Sequence, residues 1–232
     1  MKLPLRSFGT THIRSPLWAI LATAIVFSGI TLAATNFSQL QQLAKKQYGE
    51  MALTTVSQWR LLIDSNKDAP DLEKIEKVNN FFNQRIRFRD DLLTWNEKDY
   101  WATPLETMGR RQGDCEDFSI AKYVTLQLMG VPIKKLRMTY VRARIGGPNS
   151  KVSQAHMVLS YYPEPTAIPM LLDNLITEIR PASRRPDLTP VFGFNSEGLW
   201  VGGASNPAIN NPSSRLSRWR DMLSRMQQEG LQ

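Results

Sequence analysis

The stretch Gln112-Gly113-Asp114-Cys115-Glu116-Asp117-Phe118 contains the single cysteine of this 232-residue chain. Gly113 permits a tight turn and Asp114 is a favourable N-cap, so the pattern predicts that a helix begins at Cys115. A thiol in the first helical turn lies at the positive end of the helix dipole, which favours the reactive thiolate. The usual alternative for a lone cysteine is an inert apolar core residue, but three flanking carboxylates disfavour it. We therefore predict a nucleophile at Cys115.

The two histidines of the chain extend this prediction. His12 lies in an N-terminal segment with the character of a removable leader, so His156 is the only remaining candidate for a general base. A lone histidine is more often a structural residue. A cysteine nucleophile, however, needs an imidazole that accepts the thiol proton and later protonates the leaving group. We therefore predict that Cys115 and His156 act together.

Residues 1–34 have the pattern of a secretory signal peptide. Basic residues precede an apolar run over 17–34, and no acidic residue occurs before Glu50. Small residues at the end of the run predict cleavage after Ala33 or Ala34. The alternative is an uncleaved membrane anchor, because an apolar run of about 18 residues approaches spanning length. Both interpretations place the body of the protein outside the cytoplasm.

The remainder of the chain, residues 35–232, is long enough for one domain with its own core. A single cysteine excludes an internal disulfide, and an unpaired cysteine in an exported protein favours a reactive thiol. The formal net charge of +8 is dispersed, without a basic run interleaved with aromatic residues and without zinc-finger or helix-turn-helix spacing. We therefore expect no binding to nucleic acid.

Hydrophobic periodicity divides this domain into a helical first part and a β-rich second part. Helical patterns begin at Asn36 or Ser38, with a break near Gly49, and begin again near Pro70 and at Cys115. Strand-like segments follow at 136–145, 155–162, 170–176, 179, 191–194 and 199–201. This order predicts an α+β fold in which the cysteine-bearing helix packs against an antiparallel sheet.

Two further segments have no strand pattern. Residues 88–113 lack a clean period and predict an ordered loop with short helical pieces. We expect the aromatic residues of this loop to cover the core, with the lining of a substrate cleft as the alternative. Near the C-terminus, Ser213 or Ser214 is expected to cap a last helix.

A proline-rich connector at 163–169 separates two strand patterns and predicts a β-hairpin. With the centre of the connector near 164–166, paired residues have numbers that sum to about 329–332, which places His156 opposite Asp173 within about one residue. The Asp173 carboxylate can then orient the imidazole, although a carboxylate that only solvates a strand end is an alternative. We predict that Asp173 completes a triad with His156 and Cys115.

Three motifs together resemble the bacterial transglutaminase-like cysteine proteinases: Gly113-Asp114-Cys115-Glu116-Asp117-Phe118, Gln154-Ala155-His156-Met157-Val158 and Leu171-Leu172-Asp173-Asn174. Their Cys, His and Asp residues arrive in this order on a helix and two strands, as in transglutaminase-like and papain-like folds. The lead-in Tyr100-Trp101-Ala102-Thr103-Pro104 is also similar. The resemblance implies a transglutaminase-like or papain-like fold and a catalytic triad of Cys115, His156 and Asp173.

The same resemblance implies a periplasmic protease that cleaves the N-terminal region of a large surface adhesin at a paired-alanine site and so releases biofilm cells. It implies Ca²⁺ as cofactor, with Asp114, Glu116 and Asp117 as the binding acids. It also implies a protein partner, the periplasmic domain of a LapD-like inner-membrane receptor for cyclic di-GMP. From the residues alone the three acids are better explained as helix-capping groups. Ca²⁺ prefers about six to eight oxygen ligands, so loop carbonyls and water would have to complete the site.

Two other functions fit the same residues. A transglutaminase-type acyl transferase would form the same acyl-enzyme but would let an amine replace water. A non-catalytic, calcium-dependent binding module would leave Cys115 inert. For the enzyme, the oxyanion hole is expected to include the Cys115 amide, with Gln112 and Trp101 as candidates for the second donor.

Overall fold

The structure, a computed structural model, describes residues 35–210 and 216–231. The predicted signal peptide at 1–34 and the candidate caps Ser213 and Ser214 lie outside these residues. Among the helices in the described part of the chain, none is both long enough and apolar enough to cross a membrane.

Three helices form the N-terminal part of the fold: α1 (Phe37–Tyr48), α2 (Glu50–Asn66) and α3 (Asp71–Arg85). The Asn36 side chain caps α1 by accepting a hydrogen bond from the Gln39 amide. Gly49 has φ 88°, a conformation that glycine adopts without steric cost, and it separates α1 from α2. The predicted cap and the predicted break near Gly49 are therefore both confirmed.

The segment at 88–113 is ordered and contains short helical pieces, as predicted. Its elements are β1 (Arg87–Phe88), α4 (Asp91–Thr94), α5 (Pro104–Arg110) and β2 (Gln112–Gly113), with β1 and β2 paired in parallel. Thr103 and Glu106 form a capping box that starts α5. Trp101 is buried and stacks on Phe194 with ring centroids 5.7 Å apart, so this aromatic residue covers the core.

The central helix α6 (Cys115–Leu128) begins at the predicted residue. Asp114 is its N-cap, and Asp117 completes a capping box with the Asp114 amide. The helix is buried along most of its length, and Gly130 with φ 83° follows its C-terminus ahead of Pro132. A buried helix of this kind gives its first residue a fixed position in the molecule.

The second half of the chain forms an antiparallel sheet, as predicted. Its strands are β3 (Leu136–Arg144), β4 (Ser153–Tyr161), β5 (Met170–Leu172), β6 (Arg180–Pro181), β7 (Leu188–Phe194), β8 (Gly198–Val201) and β9 (Ile209–Asn210). They are arranged in the order β6-β5-β4-β3-β7-β8-β9, and every neighbouring pair is antiparallel. The last described helix is α7 (Ser217–Glu229). The fold is therefore α+β.

The main core lies between the helices and one face of the sheet. Met157 and Leu159 of β4 belong to this core, and Trp59 of α2 donates a hydrogen bond to Thr125 of α6 at 2.8 Å. Val158, which alternates with them along β4, packs in a separate small cluster. The two faces of the sheet therefore have different surroundings, and the helices cover only one of them.

Candidate active site

Cys115 and His156 line one cleft, although they are far apart in the chain. The cleft has a volume of about 310 Å³, and its walls also include Phe88, Ala155 and Leu175. Helix α6 supplies the thiol from its first residue, and β4 supplies the imidazole. The structure thus brings the predicted nucleophile and the predicted base to a single surface.

His156 and Asp173 are in direct contact in the interior. His156 Nε2 lies 2.9 Å from Asp173 Oδ1, and both side chains are almost fully buried. The predicted proximity of the two residues is therefore observed. Because Asp173 engages Nε2, the other ring nitrogen, Nδ1, remains for an exchange of protons with the thiol.

The hairpin register differs from direct pairing of these two residues. Ser160 pairs with Leu171 and Leu159 with Leu172, so a continued ladder would place Asp173 opposite Val158, two residues from His156. These pairs sum to 331, within the predicted range of about 329–332, so the predicted register is confirmed. Asp173 is nevertheless displaced by two residues from the position opposite His156, instead of by about one. A displacement of two residues keeps both side chains on the same face of the sheet, so the contact survives.

Strand β5 ends earlier than predicted, at Leu172 rather than at residue 176. Asp173 Oδ1 accepts a hydrogen bond from the Leu175 amide, a local bond that turns the chain out of the sheet. The Asp173 carbonyl accepts hydrogen bonds from Asn83 Nδ2 at 2.8 Å and from Lys122 Nζ at 3.1 Å. The carboxylate is therefore held by its backbone as well as by its side-chain partners.

Arg185 is a further partner of Asp173 that no sequence pattern predicts. Its Nη2 donates to Asp173 Oδ2 at 2.8 Å, and both side chains are buried. Burial raises the pKa of Asp173, but the contacts with His156, Leu175 and Arg185 outweigh burial and lower that pKa to about 2. Asp173 is therefore ionised at neutral pH and can fix the orientation of the imidazole.

The Cys115 thiol lies in a negative environment. Its Sγ donates a hydrogen bond to Glu116 Oε2 at 2.8 Å, and Tyr140 donates to the other oxygen of Glu116 at 3.2 Å. Burial, followed by the charges of Glu116 and Asp114, raises the pKa of Cys115 well above its ordinary value. The helix dipole alone predicts a favoured thiolate, but burial and the neighbouring carboxylates outweigh it.

The acids near Cys115 form two overlapping groups. Asp114 and Glu116 lie with the thiol, whereas Asp114 and Asp117 lie with Asp91, and in each group one ligand atom per residue is within 4.8 Å of the others. Asp91 is the N-terminal residue of α4 and was not a predicted ligand. Its position close to the others follows from the packing of the segment before α5.

Asp91 and Asp117 are held in place by backbone amides. Asp91 Oδ2 accepts from the Tyr100 amide at 2.5 Å, whereas Asp91 Oδ1 is buried without a hydrogen-bond partner in the described residues. Asp117 accepts from the amides of Ala102 at 2.8 Å and Asp114 at 3.4 Å. Burial and mutual repulsion raise the pKa of Asp91, Asp114 and Asp117. The donor set therefore fits a hard cation that takes oxygen ligands.

Comparisons with known proteins agree with this geometry. Residues 44–186 match the family model of the bacterial transglutaminase-like cysteine proteinases, BTLCP. LapG from Legionella pneumophila is 40% identical, with a TM-score of 0.69 over 83% of this chain and 99% of the LapG chain. This chain belongs to the bacterial transglutaminase-like cysteine proteinases. No curated protein matches it.

Two further structures of Legionella LapG are also similar to this transglutaminase-like proteinase. EGTA-treated Legionella LapG is 41% identical with a TM-score of 0.71, and calcium-bound Legionella LapG is 41% identical with a TM-score of 0.69. The aligned region of EGTA-treated LapG covers 83% of this chain and 100% of the LapG chain. For calcium-bound LapG the corresponding values are 82% and 99%. The likeness thus extends over nearly all of the described domain.

The candidates for the second oxyanion donor are not at the cleft of this transglutaminase-like proteinase. Trp101 donates its indole N–H to Asp99 at 3.0 Å, and Gln112 accepts from Arg89 at 3.3 Å. Gln154, two residues before His156, lines the cleft instead. Its position two residues before His156 in the same motif was the available sequence signal for a residue at the cleft.

Proposed function

We propose that this chain is a periplasmic, calcium-dependent cysteine endopeptidase whose catalytic residues are Cys115, His156 and Asp173. The observation that carries the proposal is the buried contact between His156 and Asp173 on the wall of the cleft that holds Cys115. A buried carboxylate that orients an imidazole beside a thiol is the arrangement that a cysteine protease requires. Membership of a cysteine proteinase family supports the same chemistry.

In the proposed reaction, His156 Nδ1 accepts the thiol proton as Cys115 Sγ attacks the carbonyl carbon of the substrate. The Cys115 amide is at the first turn of α6, where backbone N–H groups lack helical partners, and it donates to the oxyanion. His156 then protonates the leaving amine, and a thioester remains on Cys115. His156 finally removes a proton from water, which attacks the thioester and regenerates the thiol.

We include Ca²⁺ in this proposal, with Asp114, Glu116 and Asp117 as ligands and Asp91 added from the structure. The unpartnered Oδ1 of Asp91 beside Asp114 and Asp117 is the observation that supports a cation here. When bound, Ca²⁺ supplies positive charge that offsets the carboxylates beside Cys115. The existence of a calcium-bound structure of the related Legionella LapG gives independent support.

The proposed substrate is the N-terminal region of a large surface adhesin, cut at a paired-alanine site with release of biofilm cells. The cleft is small, and Phe88, Ala155 and Leu175 form an apolar part of its otherwise polar wall, which suits small apolar side chains of a substrate. The signal peptide proposed for residues 1–34 would direct the domain at 35–232 to the periplasm, where such a substrate passes.

We also propose a protein partner, the periplasmic domain of a LapD-like cyclic di-GMP receptor, which would sequester the protease. The chain has one cysteine, so an internal disulfide cannot mask the thiol. The purified receptor domain should retain the wild-type protein and the Cys115→Ala variant equally in calcium. If it retains neither, this partner is wrong.

The first prediction tests the proposed activity itself. Purified wild-type protein is incubated with the N-terminal region of a co-encoded adhesin in calcium, and cleavage is followed by mass spectrometry. Cys115→Ala and His156→Ala should each reduce the rate by at least about 1000-fold, because either change removes a member of the triad. Ser65→Ala, an exposed change of similar size on α2, should cleave at the wild-type rate.

Two results would contradict this assignment. Substantial cleavage by a folded Cys115→Ala variant would exclude the thiol as nucleophile. Incorporation of an added primary amine at the cut site, in place of a free carboxylate, would show acyl transfer rather than hydrolysis. The melting temperature of each variant, measured by circular dichroism, separates loss of chemistry from loss of fold.

A further inference from the structure

The face of the sheet that points away from the helices carries a cavity of about 410 Å³. Its apolar walls include Val141, Val158 and Leu171, which also pack together as a cluster separate from the main core. It shares no lining residue with the cleft at Cys115. The volume lies within the range of about 300–1,000 Å³ that small-molecule sites have.

Arg137 is a buried cation on the wall of this cavity. Its side chain is 4% exposed, and its guanidinium carbon lies 4.2 Å from the Tyr162 ring centroid and 4.1 Å from that of Trp200. Nη1 donates to the Ala204 carbonyl at 3.1 Å, but Nε is buried without a hydrogen-bond partner. Within residues 35–210 and 216–231, no carboxylate forms a salt bridge with Arg137.

A buried guanidinium without a carboxylate is energetically unfavourable. Burial disfavours the charged form of Arg137 and therefore lowers its pKa. The aromatic rings stabilise the faces of the guanidinium but cannot satisfy the N–H groups at its edge. Those N–H groups form a planar fork that fits the two oxygens of a carboxylate.

Two other polar features line the same cavity. Arg185 engages Asp173 and Asp187 through Nε and Nη2, whereas its Nη1 is buried without a partner in the described part of the chain. The hydroxyl groups of Thr139 and Ser160 form a hydrogen bond with an Oγ1–Oγ distance of 2.8 Å. The cavity therefore combines unpartnered N–H donors with an apolar wall, and an amphipathic anion satisfies both features.

We propose that this cavity binds a small monocarboxylate with an apolar chain, with its carboxylate at Arg137 and its chain against Val141, Val158 and Leu171. The carboxylate pairs with the buried guanidinium, and the chain buries apolar surface that the sheet otherwise exposes to water. The site does not depend on the proposed protease activity, since none of its lining residues lines the Cys115 cleft, and only Arg185 connects the cavity with Asp173.

The test is a calorimetric titration of the purified protein with sodium octanoate, with 1-octanol as a probe of similar chain length and no charge. Octanoate should bind with a stoichiometry of one, at least about 10-fold more tightly than octanol. Arg137→Gln should weaken octanoate binding by at least about 10-fold. Arg142→Gln, the same change at an exposed residue on the opposite face of β3, should leave it unchanged.

A second variant keeps the test decisive if Arg137→Gln fails to fold. Gly193 lines the cavity, and a Cβ atom there would lie 3.5 Å from Thr139 Oγ1, an ordinary contact. Gly193→Ala should therefore fold and should weaken octanoate binding by at least about 10-fold, because the added methyl group occupies part of the space. The proposal is overturned if octanoate does not bind the wild-type protein, if octanol binds equally well, or if the folded Gly193→Ala variant binds octanoate like wild type.

Discussion

Asp173 is the residue on which most of the buried polar contacts of the site converge. Its carboxylate forms hydrogen bonds with His156 and Arg185. Its backbone carbonyl accepts hydrogen bonds from the side chains of Asn83 and Lys122. Buried charges are tolerated only when they are paired and hydrogen-bonded, so each partner restricts the position of the others. The orientation of the His156 ring thus depends on residues that do not touch the cleft themselves.

The second prediction concerns Arg185, a positioning residue. Arg185→Gln removes a charge that lowers the pKa of Asp173, so that pKa should rise and the acid limb of the pH–rate profile should move to higher pH. Cleavage at neutral pH should fall by roughly 10–100-fold, and Arg185→Lys should restore part of it.

The control is Arg180→Gln, which removes a half-exposed arginine whose partner is Glu178. This variant should keep both the wild-type rate and the wild-type pH profile, because a surface ion pair contributes little. An Arg185→Gln variant with an unchanged acid limb would show that Arg185 does not act through Asp173.

The third prediction concerns Lys122, a fully buried lysine of α6. Burial lowers the pKa of Lys122 from 10.5 to about 7. The negative charge of Asp173 raises that pKa, but by less than burial lowers it. Between about pH 7 and pH 10.5, Lys122 is protonated in the unfolded chain but largely deprotonated in the folded protein. The unfolded chain therefore binds more protons, and Lys122 makes the free energy of unfolding rise with pH. Its unfavourable contribution is fully present below about pH 7 and declines towards pH 10.5.

Lys122→Met lacks this titration. From about pH 7 to about pH 10, wild type should gain roughly 2–4 kcal/mol of unfolding free energy relative to the variant. Urea denaturation of both proteins at the two pH values measures the difference. A difference that stays constant with pH would show that Lys122 keeps an ordinary pKa in the folded protein.

At the scale of elements, the site depends on how α5 and α6 begin and how they pack. A capping box starts each helix, with Thr103 and Glu106 at α5 and Asp114 and Asp117 at α6. The Asp117 carboxylate also accepts from the Ala102 amide, so the residue before the cap of α5 is joined to the first turn of α6. A shift of α5 would therefore disturb the acids beside Cys115.

The fourth prediction tests the packing of α5 against α1. A Cβ atom on Gly109 would lie within 2.5 Å of Tyr48 Cγ, which is close to the base of that ring and cannot move freely. Helix propensity favours alanine over glycine by about 1 kcal/mol, so the clash decides the sign. Gly109→Ala should lower the free energy of unfolding by about 1–3 kcal/mol.

The matched control is Gly203→Ala, because a Cβ atom there would have no neighbour within 4 Å. Urea denaturation should show no loss of stability for this variant. If Gly109→Ala is as stable as Gly203→Ala, α5 and α1 are not in close contact.

At the scale of the whole molecule, the proposed calcium site connects parts of the chain that fold as different elements. Asp91 belongs to α4, whereas Asp114 caps α6 and Asp117 lies in its first turn. These acids come together only when the segment before α5 packs on α6. An ion that binds them must therefore favour the folded state over the unfolded chain.

The fifth prediction follows from that linkage. Calcium at about 100 times its dissociation constant should stabilise the protein by about 2.7 kcal/mol, which corresponds to a rise of roughly 5–10 °C in melting temperature. Asp91→Asn should remove most of this rise, whereas Asp68→Asn, at an exposed residue outside both acid groups, should keep it. Magnesium should give a smaller rise, because it demands stricter octahedral geometry.

Differential scanning calorimetry with added calcium or EGTA measures the effect without reference to cleavage. A calcium-dependent rise that is the same in Asp91→Asn and in wild type would exclude Asp91 from the site. Absence of any rise in the wild-type protein would leave these acids as helix-capping groups.

Features that depend on neighbours along the chain could be predicted from the amino-acid sequence. The start of α6 at Cys115, the break at Gly49 and the antiparallel sheet follow from caps, glycine conformations and hydrophobic periodicity, which act within a few residues. The proximity of His156 and Asp173 was also predictable, because a short connector restricts the register of a hairpin.

The distant residues that complete the sites could not be predicted in this way. Asp91 lies beside the acids of α6, Arg185 contacts Asp173, and Arg137 lies against two aromatic rings, each through contacts between separate elements. Tertiary contacts also explain why β5 ends at Leu172, because the Asp173 side chain engages His156 and Arg185. Such contacts depend on how whole elements pack, and no local periodicity or cap encodes that packing.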